Sequence, residues 1–340
     1  GRKILKIITV CSYYGTGSSA VTDFISEFDN VKSFTNFEFR FAHDPDGLAD
    51  LEYHLIENFN RHNSGHALKR FKKFVDYYSA HFMAPRYEAF FHGNWKKLAY
   101  EYIDSLTDFS YPGIWQFDFY DKGRLWEFWH KLPNRIIHKL HIGDVDSEFG
   151  MFSKEITLAS HPTEQKFLYC TKNFTDSLFS LANPERKPFL MVDQLLPSSN
   201  IEHHMRYFSN IQAIVVDRDP RDLYLLSKYV WKSKIVPSDI DLFCKWFSYA
   251  RSTRETENWN PQKILFIQFE DLIYNYDDTT NKIMSFLNLS KENHLTPRKY
   301  FIPEVSIKNT RLWKQNPSYA KEAEYIANKL PQYLYHLNGE

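Results

Sequence analysis

The sequence predicts an α/β fold: a parallel, doubly wound sheet flanked by helices and interrupted by a large, mostly helical insertion. Three observations carry this. Short apolar runs rich in β-branched residues recur at Ile4–Val10, Phe189–Val192, Gln212–Val216 and Lys263–Ile267, as strands buried on both faces do. Helical patterns follow the first, third and fourth of them, and that alternation implies parallel pairing. From Leu48 to about Ala182 the pattern turns helical and aromatic. The chain therefore reads as one domain over 1–340, with an insertion at 48–185 expected to shape a substrate pocket.

The stretch Ile4–Phe28 organises the rest. Its strand runs into a loop, Tyr13–Gly17, whose two glycines permit tight or left-handed backbone. Ser18-Ser19 then opens a helix in which Val21, Phe24, Ile25 and Phe28 share a face. Strand, glycine loop and hydroxyl-bearing helix start make an anion site from backbone N–H groups. The same stretch also reads as a plain strand-to-helix turn with a serine N-cap. The loop lacks the lysine of G-x-x-x-x-G-K-[ST], which argues against an ordinary ATP- or GTP-hydrolysing enzyme.

Composition bounds the partners. In 340 residues, 42 Lys and Arg balance 42 Asp and Glu, so nucleic acid is not expected as a main partner. Three scattered cysteines give neither a disulfide framework nor a zinc motif; a reducing, cytoplasmic setting and no metal are expected. No run is long and apolar enough to span a membrane, and the charged N-terminal residues before the first strand do not read as a signal peptide. Oligomeric state is not legible. Lysine, asparagine and tyrosine usage hints at an AT-rich, bacterial genome.

In chain order, Val31–Phe34 reads as a short strand, and Asn36–Phe41 alternates, with three phenylalanines on one side and Glu38 and Arg40 on the other. His43–Gly47 is a turn rather than a metal site. Leu48, Leu51, Leu55 and Ile56 mark one amphipathic helix; Leu68, Phe71, Phe74, Val75 and Tyr78 mark another. Tyr111–Trp129 gathers Trp115, Phe117, Phe119, Tyr120, Trp126, Phe128 and Trp129, which either line an acceptor pocket or form the insertion's core. His138 and His141 lack further metal ligands. Pro220 opens a helix expected through Tyr229, and Tyr276–Leu289 is amphipathic. Ligands of doubly wound sheets gather beyond the strands' carboxyl ends, where Asp193 and Asp217-Arg218 lie.

Four motifs together resemble the sulfotransferases that use PAPS, the 3'-phosphoadenylyl sulfate donor, and imply their P-loop-like fold. Gly15, Thr16, Gly17, Ser18 and Ser19 match the family loop that grips the 5'-phosphosulfate. Arg218-Asp219-Pro220-Arg221-Asp222 with Ser227 resembles the segment whose arginine and serine hold the 3'-phosphate. Phe269-Glu270-Asp271-Leu272 with Phe286-Leu287-Asn288-Leu289, and the segment Lys308–Lys314, match two more. In the last, Lys308, Arg311 and Lys314 are implied to contact the 3'-phosphate end. The resemblance covers Ile4 to about Arg40 and Phe189–Tyr335. It implies sulfuryl transfer to a hydroxyl, with adenosine 3',5'-bisphosphate as product.

The departures are specific. The family's loop lysine falls at Gly15, with Arg40 the substitute cation or else a surface ion pair. The adenine-stacking tryptophan falls at Ala20, which shifts that role to Phe269. Ser227 lies one residue further from Arg218 than usual, with Leu226 at the usual spacing, so the helix must shift register. The histidine base of cytosolic members falls at Leu195. Glu38 sits where carbohydrate-modifying members carry a glutamate base, with Asp193 as second candidate. Glu38 points to a glycan or glycolipid acceptor, whereas an aromatic, weakly charged pocket would suit a sterol or other apolar alcohol. A non-catalytic nucleotide-binding protein of the same fold stays open, as does a nucleotide kinase.

Overall fold

Both faces of the first strand are apolar, so it must sit in the middle of a sheet, and it does. The computed structural model describes residues 4–82, 84–113, 116–142 and 156–337. They form two compact units: 1–44 with 179–340, and 45–178.

The first unit is built on a five-stranded, wholly parallel sheet. Its strands are β1 (Lys6–Ser12), β2 (Val31–Glu38), β3 (Phe189–Asp193), β4 (Ile211–Asp217) and β5 (Ile264–Gln268), in the order β2-β3-β1-β4-β5. The doubly wound parallel sheet expected from the sequence is present. The two extended pieces read as Val31–Phe34 and Asn36–Phe41 are largely one strand, β2, whose ladder with β3 shifts register between Ser33 and Glu38. Beyond it Phe39 and Phe41 are buried.

Helices α1 (Ser18–Ser26), α2 (Pro220–Leu225), α3 (Ile240–Ala250), α4 (Phe269–Tyr274) and α5 (Tyr276–Leu287) flank the sheet. Val21, Phe24 and Ile25 of α1 pack with Ile8, Val10 and Met191 of the sheet and Ile283 and Leu287 of α5. A second cluster joins Leu223 of α2, Phe243 and Phe247 of α3, and Ile326 of the helix Ala320–Lys329. The chain leaves β1 toward one sheet edge and β4 toward the other. The crevice between these adjacent strands is therefore the topological switch point, where such sheets bind ligands.

One expectation about helices needs correcting. The run expected from Pro220 through Tyr229 is α-helical only to Leu225 and continues as a π turn over Leu226–Trp231. A π turn accommodates one extra residue, and Ser227 lies within it.

The second unit is mainly helical, with Arg61–Ser79, Trp95–Leu106, Arg124–Lys139 and most of Glu164–Leu181. Phe109–Pro112 pairs antiparallel with Ile156–Ala159. Its core comes from Leu68, Phe71, Val75, Trp95, Tyr102, Ile103 and Phe174. Trp95 Nε1 donates to Val75 O at 3.0 Å, and the Tyr102 and Thr171 hydroxyls bond at 2.7 Å, so the buried polar atoms of the bulky residues are satisfied. The aromatics of Tyr111–Trp129 do not build this core: Tyr111, Phe117, Tyr120, Phe128 and Trp129 are exposed. Trp115 lies outside the described residues. No described helix is long and apolar enough to cross a membrane.

Candidate functional site

The loop after β1 is wound by three left-handed residues, Tyr14 (φ 75°), Gly15 (φ 66°) and Gly17 (φ 88°). Gly17, not a serine, caps α1, and no side chain of the cap takes up the helix's first N–H groups. Those donors, at the positive end of the helix, face the crevice as an anion cradle. Two glycines are required on steric grounds as well. A Cβ on Gly17 would stand 2.2 Å from Phe269 Cδ2, and one on Gly15 would stand 2.9 Å from both Leu223 Cδ1 and Trp231 Cζ3. Thr16 is fully buried, and its hydroxyl donates to Val216 O at 2.8 Å, which pins the loop to β4. Its hydroxyl is structural; only its backbone remains for a ligand.

Arg218 leaves the end of β4 directly beneath this loop. It is 3% exposed, and it donates from Nη1 to Gly15 O at 3.2 Å and from Nη2 to Asn309 O at 2.9 Å. Its guanidinium lies 4.1 Å from the centroid of the Phe269 ring. Burial lowers its pKa, which the charges of Glu270, Asp222 and Asp219 oppose; an arginine starts so high that it keeps its charge. Its Nε has no hydrogen-bond partner, and neither has the buried Ser227 Oγ on the π turn. Phe269 is itself 5% exposed, enclosed by Gly17 and Arg218 rather than standing open.

The frame around Arg218 is acidic. Asp217 is gripped by Arg251 through Nε at 2.9 Å and Nη2 at 2.6 Å, and by Arg254. Burial alone would raise its pKa, but the two arginines hold it below the ordinary value. Glu270 Oε1 accepts from Asp219 N at 2.9 Å; burial first, and then the charge of Asp219, push its carboxyl up to about 8. Asp222 accepts from the backbone N–H groups of Arg311 (2.9 Å) and Leu312 (3.0 Å), and burial lifts it to about 6.

A cleft of about 330 Å³ opens over the loop. Gly15, Gly17, Ser18, Ser19, Arg218 and Phe269 all line it, so six of the residues singled out in the sequence converge here. Arg218 is the one cationic side chain among its described lining residues. Lys308, Arg311 and Lys314 do not line it. They border separate clefts, one of which also includes Tyr274 and Thr310. Thr16 and Ser227 are buried and are not part of the lining.

The candidate catalytic residues gather beside α1. Glu38 and Asp193 are ladder partners at the ends of β2 and β3. Glu38 is 52% exposed, whereas Asp193 is buried with its Oδ1 unpartnered. Burial, reinforced by the charge of Glu38, pushes the Asp193 carboxyl from 3.8 up to about 7. Arg40 is held by Asp44 at 2.8 Å and Glu38 at 3.6 Å and is not at the loop cleft. Gln194 bridges the parts: its Nε2 donates to Ser12 Oγ at 3.1 Å and Ser18 Oγ at 3.3 Å.

Sequence reasoning passed over several cleft residues, namely Asp23, Trp231 and Tyr300, and placed Asn309 only within the Lys308–Lys314 motif. Asp23 sits one helical turn beyond Ser19 on α1, and that spacing was the available signal. Burial and the charge of Glu27 lift its carboxyl to about 6. Asn309 enters through its backbone carbonyl, which a sequence does not display. Among the described residues no group of three or more His, Cys, Asp or Glu is placed to hold a metal ion.

Residues 153–319 match the profile of the sulfotransferase domain. A sulfotransferase of Mycobacterium avium aligns structurally over 97% of this chain and 76% of its own, at 11% identity and a TM-score of 0.38. The sulfotransferase domain of the olefin synthase of Synechococcus PCC 7002 aligns over 98% and 95%, at 12% identity and 0.38. Retinol dehydratase, solved with androsterone and the inactive cofactor PAP, aligns over 99% and 84%, at 13% identity and 0.35. Superpositions this loose say nothing about the chemistry of this chain. No curated protein sequence matches it. The sequence profile carries the likeness: residues 153–319 are similar to the sulfotransferase domain.

Proposed function

We propose that the protein transfers the sulfuryl group of PAPS to a hydroxyl of a carbohydrate or glycolipid. One observation carries the donor assignment. Arg218 Nε and Ser227 Oγ, the side chains the family resemblance assigns to the 3'-phosphate, are both buried without a partner. A buried polar group left unpaired costs about 1–3 kcal/mol, a cost that a multidentate anion would relieve. The exposed ring of Trp231 gives the cleft a flat apolar wall suited to a base.

PAPS, when bound, supplies an activated sulfuryl group on a good leaving group. The chain's own part is to hold and orient. The first-turn N–H groups of α1 and the hydroxyls of Ser18 and Ser19 take the anionic end near the loop. Ser18 Oγ already accepts from Gln194, which leaves its O–H free to donate. Arg218, the cation in the cleft lining, takes the 3'-phosphate end, and Phe269 holds its plane. Lys308, Arg311 and Lys314 add positive field from the neighbouring clefts. Glu38, which is exposed, removes the acceptor proton, steadied by Arg40. Asp193 behind it, with a pKa near 7, is matched to accept that proton at neutral pH. We assign acceptor choice to the unit 45–178, so substitutions there should move acceptor KM and spare donor affinity. Three free cysteines fit a reducing, cytoplasmic setting.

The test is a thermal shift with adenosine 3',5'-bisphosphate, ATP and ADP. At a hundred times its Kd a ligand adds about 2.7 kcal/mol, roughly 4 °C for a chain this long. Ser227→Ala should keep or raise the ligand-free Tm, because it removes an unpaired hydroxyl, yet lose most of the bisphosphate shift. No shift at millimolar bisphosphate would overturn the donor assignment. Turnover on glycans rather than sterols, abolished in Glu38→Gln, tests the acceptor and the base.

A further inference from the structure

The helix Arg124–Lys139, within the second unit, has sixteen residues and buries none of them. At about 100° per residue, Leu125, Phe128, Trp129, Leu132, Ile136 and Leu140 fall within an arc of about 120°. An arc of that width ordinarily faces a core. Here Leu125 is 79% exposed, Trp129 65% and Leu140 61%.

Charge says what covers it. From Lys122 to Ile142 there are five Lys or Arg and one acidic residue, Glu127, in a chain whose net charge is zero. Lys131 pairs with Glu127. Arg124 and Arg135 line one flank of the apolar arc and Lys139 stands at its C-terminal end, where long cationic side chains can reach outward from an interface. A second copy of this face would set the same basic flank against itself, or leave it unmatched. The helix spans only about 24 Å and is half polar, so it cannot cross a bilayer.

We infer that this helix docks the protein onto an anionic lipid surface. It lies in the plane of the headgroups, with the leucines and Trp129 immersed and Arg124, Arg135 and Lys139 on lipid phosphates. This is independent of the identity of the donor.

The experiment is co-sedimentation of the full chain with vesicles of three parts phosphatidylcholine to one part phosphatidylglycerol, against phosphatidylcholine alone. The protein should pellet with the anionic vesicles, far less with neutral ones, and be released by high salt. Trp129→Glu and the pair Arg124→Glu, Arg135→Glu should each weaken partitioning at least about tenfold, whereas Trp129→Phe should retain it. These side chains are exposed, so an unchanged Tm verifies that the variants are folded. Absence of pelleting overturns the inference, as does pelleting unaffected by Trp129→Glu. A dimer in solution that Leu125→Glu dissociates, without vesicle binding, would assign the face to self-association instead.

Discussion

Replacing Asp193 by Asn should stabilise the protein relative to wild type increasingly as pH rises toward 7. The carboxyl is buried, one oxygen has no partner, and its pKa is raised from 3.8 to about 7. An unfolded chain releases this proton near 3.8, while the folded chain keeps it until about 7. Between those values the folded state binds more protons, so the wild type loses stability as pH rises. Each pH unit is worth about 1.4 kcal/mol, so about 3 kcal/mol should separate pH 5 from pH 8. Asn carries no such term. Thermal unfolding of both proteins across that range reads the effect: their Tm difference should move by about 4 °C in favour of Asn and level off above pH 7. Any difference in packing between the amide and the acid is an offset that does not depend on pH. A difference that stays flat, or that turns against Asn as pH rises, refutes the reasoning, because it would mean that Asp193 is ionised and well solvated.

Three further outcomes follow from the geometry. Gly17→Ala should lose about 2–4 kcal/mol in urea denaturation, from positive-φ strain and the Phe269 overlap, and Phe269→Leu should restore only the second part. Arg251→Met should cost about 3–5 kcal/mol in the same assay because it strips Asp217 of its bidentate partner; a loss under about 1 kcal/mol would contradict a buried ion pair. Thr16→Val keeps the shape but deletes the bond to Val216 O, so it should cost about 1–2 kcal/mol yet leave most of the bisphosphate-induced shift.

The sheet was legible because its strands are buried on both faces: Ile8, Val10, Met191, Ile214 and Val216 each announce a position with no solvent side. The glycine loop was legible for the same kind of reason, since Gly15 and Gly17 mark backbone that side chains forbid. What stayed hidden depends on atoms that carry no residue identity. The cap of α1 is a backbone conformation at Gly17, Arg218 is aimed by the carbonyls of Gly15 and Asn309, and the Asp193 pKa arises from burial next to Glu38. Composition misled in Tyr111–Trp129, where aromatic density resembled a core, but the exposed arc of Arg124–Lys139 shows that those residues face outward. The π turn that carries Ser227 was not legible either, because no residue type marks a local widening of a helix.

The two carbonyl contacts of Arg218 have a mechanical consequence. One guanidinium fastens the glycine loop near the start of the chain to Asn309 near its end, residues nearly three hundred positions apart. Such a cross-tie acts like the pin of a clasp. Strain applied at the C-terminal segment reaches the anion cradle through this side chain, so a shift of the backbone at residue 309 can retune the loop.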